Sequence, residues 1–153
     1  MTDTREHPAL RQLRDDLAGT ASLTLHALDV EEACARYAED GYEVTPGLRA
    51  FLERYGEITV TWRWRQREQV LTTAVEPTLE STHATPRAVR VLGKRLGFPV
   101  LLVGTVFSTE EAVLVAENGE VLFYGDAGFQ RVGAGFEDAV RALVAGDWDK
   151  TFF

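Results

Sequence analysis

The chain contains one cysteine, one methionine and three histidines in 153 residues, and no apolar run approaches the length of a membrane-spanning helix. A single cysteine excludes an internal disulfide. Cys34 falls in the apolar stripe Val30, Ala33, Cys34, Tyr37 and Ala38, which makes it a small core residue rather than a reactive thiol. His7, His26 and His83 lie far apart, and none has a second ligand-type residue at metal-binding spacing. The sequence has no His-Glu-x-x-His, no Gly-x-Ser-x-Gly and no phosphate-binding Walker loop. Gly133-Ala134-Gly135 has the opening of a dinucleotide fingerprint, but Asp138 stands where the third glycine belongs. Neither a cofactor nor a metal is therefore expected. Basic residues are also scarce, with 16 Lys and Arg against 24 Asp and Glu and a net charge of −8. That balance argues against binding to nucleic acid, which needs cations on phosphates. It suits encounter with a basic partner, and it suits plain solubility equally well. Met1 to Arg14 is polar and carries no apolar leader segment, so a cytoplasmic protein without membrane attachment is expected.

What is present is a regular alternation of helix and strand signals. Thr45 and Pro46 open a helix in which Leu48, Phe51, Leu52 and Tyr55 form one stripe, and Gly56 closes it. The period then becomes two, with Ile58, Val60, Trp62 and Trp64 on one strand face and arginines on the other. Helix and strand should share a core. Before them, Leu10, Leu13 and Leu17 mark a short helix, Leu23, Leu25 and Ala27 a short strand, and Asp29 with Glu32 a capping box for a helix reaching about Glu39. After them, Gln66 to Glu68 close a hairpin with a strand over residues 70–75, and the polar stretch from Glu76 to Thr85 reads as a loop around Pro77. Thr85 and Pro86 open another helix, ended by Gly97. Pro99 to Val103 reads as a strand covered on both faces and bounded by Gly104. Asn118-Gly119 between two apolar runs predicts a type I′ hairpin. Phe129 to Val132 adds a strand, and Phe136, Ala139, Val140, Leu143 and Val144 line a last helix before an aromatic tail of Trp148, Phe152 and Phe153 that folds back or meets a partner. This order predicts an α+β domain with a single mostly antiparallel sheet flanked by helices, spanning residues 1–153 with 1–27 as an N-terminal extension.

No catalytic constellation stands out, and the features that remain are those of binding. Asp40, Glu43, Glu57, Glu76, Glu80, Glu110, Glu111, Glu117 and Asp126 fall at predicted loops and helix ends, where they can present negative charge without disturbing a scaffold. Trp62, Trp64 and Trp148 are the large aromatics that could anchor an interface, with core packing as the other reading of the strand pair.

In the order of these segments the chain resembles the SUKH superfamily of bacterial immunity proteins, and most of all its third subgroup. The resemblance runs from about Leu28 to Trp148. It is carried by Asp40-Gly41-Tyr42 leading to Phe51-Leu52-Glu53-Arg54-Tyr55-Gly56, the Leu92 to Leu96 helix with Gly97, the apolar strand ending at Gly104, the hairpin from Val115 to Tyr124, and the closing Phe136-Glu137-Asp138-Ala139 helix with Leu143 and Gly146. The resemblance implies a non-catalytic α+β protein whose sheet face and loops bind a cognate toxin domain, often one that cuts or modifies nucleic acid and is therefore basic. The acidic residues and tryptophans named above are then candidates for toxin contact. A regulatory interaction module of the same fold, or a small hydrolase or transferase whose carboxylates meet only in three dimensions, are the alternative readings.

Overall fold

A computed structural model describes residues 8–107 and 109–152; His7 and Phe153, considered above, lie outside them. The chain runs α1 (Pro8–Leu17), β1 (Ala21–His26), α2 (Val30–Glu39), α3 (Pro46–Tyr55), β2 (Glu57–Trp64), β3 (Arg67–Thr72), α4 (Val75–Glu80), α5 (Pro86–Leu96), β4 (Val100–Val106), β5 (Glu111–Ala116), β6 (Val121–Gly125), β7 (Gly128–Gly133) and α6 (Phe136–Ala145). The seven strands form one sheet in the order of the sequence, and every neighbouring pair is antiparallel. The fold is α+β, with helices on both sides of the sheet.

Side-chain alternation divides the interior into two cores. On one face Leu10, Leu13 and Leu17 of α1 and Phe136, Val140 and Leu143 of α6 pack on Ile58, Val60, Trp62, Val103, Val113 and Phe123. On the other, Ala33, Cys34 and Tyr37 of α2, Val75 and Leu79 of α4 and Leu92 of α5 pack on Val100, Leu102, Leu114 and Leu122. The β4 strand is therefore covered on both faces, as its unbroken apolar sequence predicts. Helix α3 serves both cores. Its Leu48 and Leu52 enter the second, while Phe51 and Tyr55 enter the first. The Thr45 hydroxyl caps it by accepting from Leu48 N at 3.1 Å. Gly56, at φ 62° and ψ −140°, lets the chain pass straight into β2. The far half of the first face is closed by the tail: the Trp64 ring sits against Gly146, while Trp148, two residues on, packs edge to face on Phe123 of β6. β2 and β6 are four strands apart in the sheet, and the tail bridges them through these two large rings.

Three local readings differ from expectation. Residues 76–80 are the body of α4, not a loop. Val75, Thr78 and Leu79 are buried at helical spacing, and Pro77 stands in the first turn, where an absent N–H breaks no hydrogen bond. Gly104 does not end its strand. It sits at a register shift in β4, which continues to Val106 and pairs with β3 only through Leu71–Val106 and Thr72–Thr105. A Cβ on Gly104 would lie 2.6 Å from the Thr72 carbonyl oxygen, so the two backbones approach too closely there for any side chain. Finally, the turn at Asn118-Gly119 is not type I′. Gly119 N donates to Ala116 O at 2.8 Å, Ala116 N donates to Glu120 O at 2.8 Å, and among these loop residues only Gly119 has positive φ. This is a three-residue loop in which a glycine bulge restores the strand twist. The two-residue turn with two left-handed residues lies instead between β2 and β3, at Arg65 (φ 51°) and Gln66 (φ 67°), next to the Trp64–Arg67 pair.

Two stability predictions follow from these backbones. Gly104→Ala forces β3 and β4 apart and lowers unfolding free energy by about 1–3 kcal/mol, read from the denaturant midpoint. Gln66→Gly relieves a left-handed side chain in an exposed turn and raises stability by about 1 kcal/mol, read from the same titration.

Candidate functional site

Helix α2 organises an acidic surface. Its inner side is Ala33, Cys34 and Tyr37, and the Tyr37 hydroxyl donates to Leu102 O at 3.0 Å. Burial above all, and then the neighbouring Tyr42 and Cys34, push the phenol well above its ordinary range. The outer side repeats at helical spacing as Asp29, Glu32, Arg36 and Glu39. Asp29 also caps the helix, accepting from Glu32 N at 3.1 Å. Together with Glu57 at the start of β2 and Glu76 on α4, these residues line a hollow of about 480 Å³ that holds five carboxylates and a single guanidinium. Arg36 clamps the rim. Its Nε donates to Glu76 at 2.7 Å and its Nη1 to Asp40, so residues far apart in sequence meet on one cation. The bonds to Glu76 and then Asp40 keep that guanidinium charged beyond its already high range. One arginine leaves the hollow negative, a fitting seat for a lysine or arginine from a partner.

A second group of the candidates gathers around the residues that follow α4. Ser81 Oγ donates to Glu110 O at 3.3 Å, and Thr82 Oγ1 donates to Glu110 Oε2 at 3.4 Å. His83 Nε2 lies 3.4 Å from Asp126 Oδ1, and its ring meets Tyr124 edge to face. Glu110 adopts φ 57°, an uncommon conformation for a side chain of its size. Beside it Glu111 is half-buried, and desolvation pushes its carboxyl up against the opposing pull of Thr109 and His83.

The remaining candidates scatter. Glu43 is exposed on the wall of a groove beside α5, Glu80 is exposed at the end of α4, and Glu117 is exposed in the β5–β6 loop. Trp62 is only 6 % exposed; its place in the first core withdraws it from any contact surface, because β2 turns that face inward. Trp64 is 38 % exposed, with the Lys150 ammonium 5.6 Å from its ring centre. Trp148 is half-buried, donates from Nε1 to Gln130 Oε1 at 3.3 Å and carries Lys150 over its ring at 4.5 Å. The tail thus folds back at Trp148, and Phe152 stays exposed. Sequence reading overlooked Asp29, Glu32 and Glu39. Their spacing around Arg36 already marks one acidic face of α2, but capping alone had accounted for Asp29 and Glu32.

The raised carboxyl of Glu111 has a consequence for stability. A folded pKa above the unfolded value means that ionisation costs stability, and the cost sets in as pH rises through the ordinary carboxylate range. Glu111→Gln is expected to melt higher than the wild-type protein at pH 7, with the difference fading by pH 4.

Among the described residues no helix is long and apolar enough to cross a membrane. Comparison with curated proteins and with solved structures yields no match. The model of the SUKH-3 immunity protein family, by contrast, matches residues 22–146, from β1 to the residue that caps α6 and including the whole acidic hollow. By that match over most of its length, the chain belongs to the SUKH-3 immunity protein family, within the SUKH superfamily.

Proposed function

We propose that this chain neutralises a cognate bacterial toxin domain by direct, stoichiometric binding, and that the toxin is a basic domain acting on nucleic acid. Family membership over residues 22–146 is the observation that carries this reading. Members of the family are immunity proteins and as a rule not enzymes. The distribution of charge supports it in physical terms. A net charge of −8 raises the encounter rate with a basic domain, and the hollow beside α2 offers cations a site walled by side chains already ordered by helix caps and the Arg36 clamp. Such a site pays little ordering entropy on binding. Glu110 and Asp126 around the residues that follow α4, and the exposed part of Trp64, add to the surface from which contacts are drawn. Binding of this kind blocks a nuclease by covering the groove through which its polyanionic substrate enters, with no bond made or broken by the immunity protein.

The test uses the toxin domain encoded next to this chain. Co-expression is expected to restore growth of cells producing that domain, and calorimetry to give one-to-one binding whose affinity falls as salt rises. Glu32→Lys with Glu39→Lys, both exposed and neither part of the Arg36 clamp, is expected to slow association at least tenfold at low salt. Failure of the wild-type pair to associate at micromolar concentration overturns the proposal.

A further inference from the structure

Helix α5 contradicts the character of the rest of the surface. In a chain with an excess of acids it carries Arg87, Arg90, Lys94 and Arg95 and no carboxylate. Among the described residues none of these four cations forms an ion pair. Of its eleven residues only Leu92 is buried, whereas Val91 is 56 % exposed. Val89 and Leu96 pack partly on the second core beside Leu92, which leaves Val91 and the cations on the outer side of the helix.

Next to this helix runs a groove of about 560 Å³, walled on one side by Arg90 and Lys94 and on the other by the corner between α2 and α3. Tyr42, Leu48, Val89, Phe98 and Leu101 give it an apolar lining, and the exposed Glu43 stands on the wall formed by the α2–α3 corner. The Tyr42 hydroxyl is buried with no hydrogen-bond partner among the described residues, and burial pushes its pKa up to about 12. An unpartnered buried hydroxyl is a cost to the free protein. The volume falls within the range of clefts that bury a ligand of several connected groups. Helix α2 stands between this groove and the acidic hollow, lining the one with Tyr37 and the other with Arg36 and Glu39.

We infer that the α5 groove receives a short segment of the toxin domain in which a large apolar side chain is flanked by an aspartate or glutamate, the apolar group entering between Tyr42 and Leu101 and the carboxylate meeting Arg90 and Lys94. The inference rests on the immunity reading above and adds the chemistry of the partner. Lone cations on an apolar rim fit an acidic residue beside an anchor. With the acidic hollow on the opposite side of α2, the surface presents two signs of charge, and a partner that is basic at one point and acidic at the other can dock in one orientation only.

The experiment measures affinity for the neighbouring toxin domain. Arg90→Glu with Lys94→Glu is expected to weaken binding at least thirtyfold, while Arg11→Glu, exposed on α1 across the sheet, changes it less than threefold. All three side chains are solvent-facing, and unchanged melting shows that the variants fold. Lys94→Cys, labelled with a thiol-directed photo-crosslinker while Cys34 stays buried, is expected to capture a toxin peptide containing an Asp or Glu beside an apolar residue. Lysine at that acidic position is expected to restore binding to the Arg90→Glu, Lys94→Glu variant. Wild-type affinity for the charge-reversed protein overturns this inference and leaves the immunity reading standing. Absence of wild-type binding overturns the immunity reading itself. Native mass spectrometry that finds a small organic acid or a second copy of this chain held by Arg90 and Lys94 also overturns the inference.

Discussion

Three central strands must bury side chains on both of their faces. In β4, β5 and β6 neighbouring residues alternate between the two cores, with Val103, Val113 and Phe123 facing α1 and α6 while Leu102, Leu114 and Leu122 face α2, α4 and α5. Neither layer of helices can be lost without exposing one side of the same strands, at about 25 cal/mol for each Å² of apolar surface returned to water. The rest of the architecture accommodates this demand. Helix α3 sends residues into both cores, Gly56 turns it into β2 without a loop, and Gly104 lets β3 leave β4 so that the chain can build α4 over the second face.

A scaffold tied together in this way leaves its chemistry on the outside. Of the acidic residues that reach the surface, two are gathered by Arg36, three lie around His83, and those on α2 line a hollow whose walls are already ordered. The α5 surface, of opposite sign, is on the same side of the sheet because α2 and α5 cover the same core. Specific recognition needs such fixed polarity more than it needs area, since charge placement excludes wrong partners at modest cost in affinity.

Much of the fold was legible from punctuation and periodicity. The Thr45-Pro46 start, the Gly56 and Gly97 exits and the unbroken apolar run of β4 each have one cheap structural solution, and the structure adopts it. Legibility failed where a local signal competed with tertiary packing. Pro77 read as a breaker although the first turn of a helix tolerates it, and the stripe Val75, Thr78, Leu79 becomes meaningful only against the second core. Asn118-Gly119 suggested the tightest hairpin, yet the turn takes one residue more and places only the glycine in the left-handed region. The hairpin read at Gln66 to Glu68 closes instead at Arg65 and Gln66, where the pairing of β2 with β3 imposes the left-handed conformation. The candidate site was legible as acidity and not as geometry. Nothing in one sequence says that Asp40 and Glu76 converge on Arg36, or that Trp62 points inward while Trp64 overhangs the tail.

The central claim is that the doubly covered strands make the two cores one cooperative unit. Native-state hydrogen exchange at rising denaturant tests it directly. The slow amides of Leu13 on α1, Tyr37 on α2 and Val113 on β5 should converge on a single free energy of exchange, equal to that of global unfolding. Separate free energies, with α1 opening while α2 and β5 remain protected or the reverse, would contradict it.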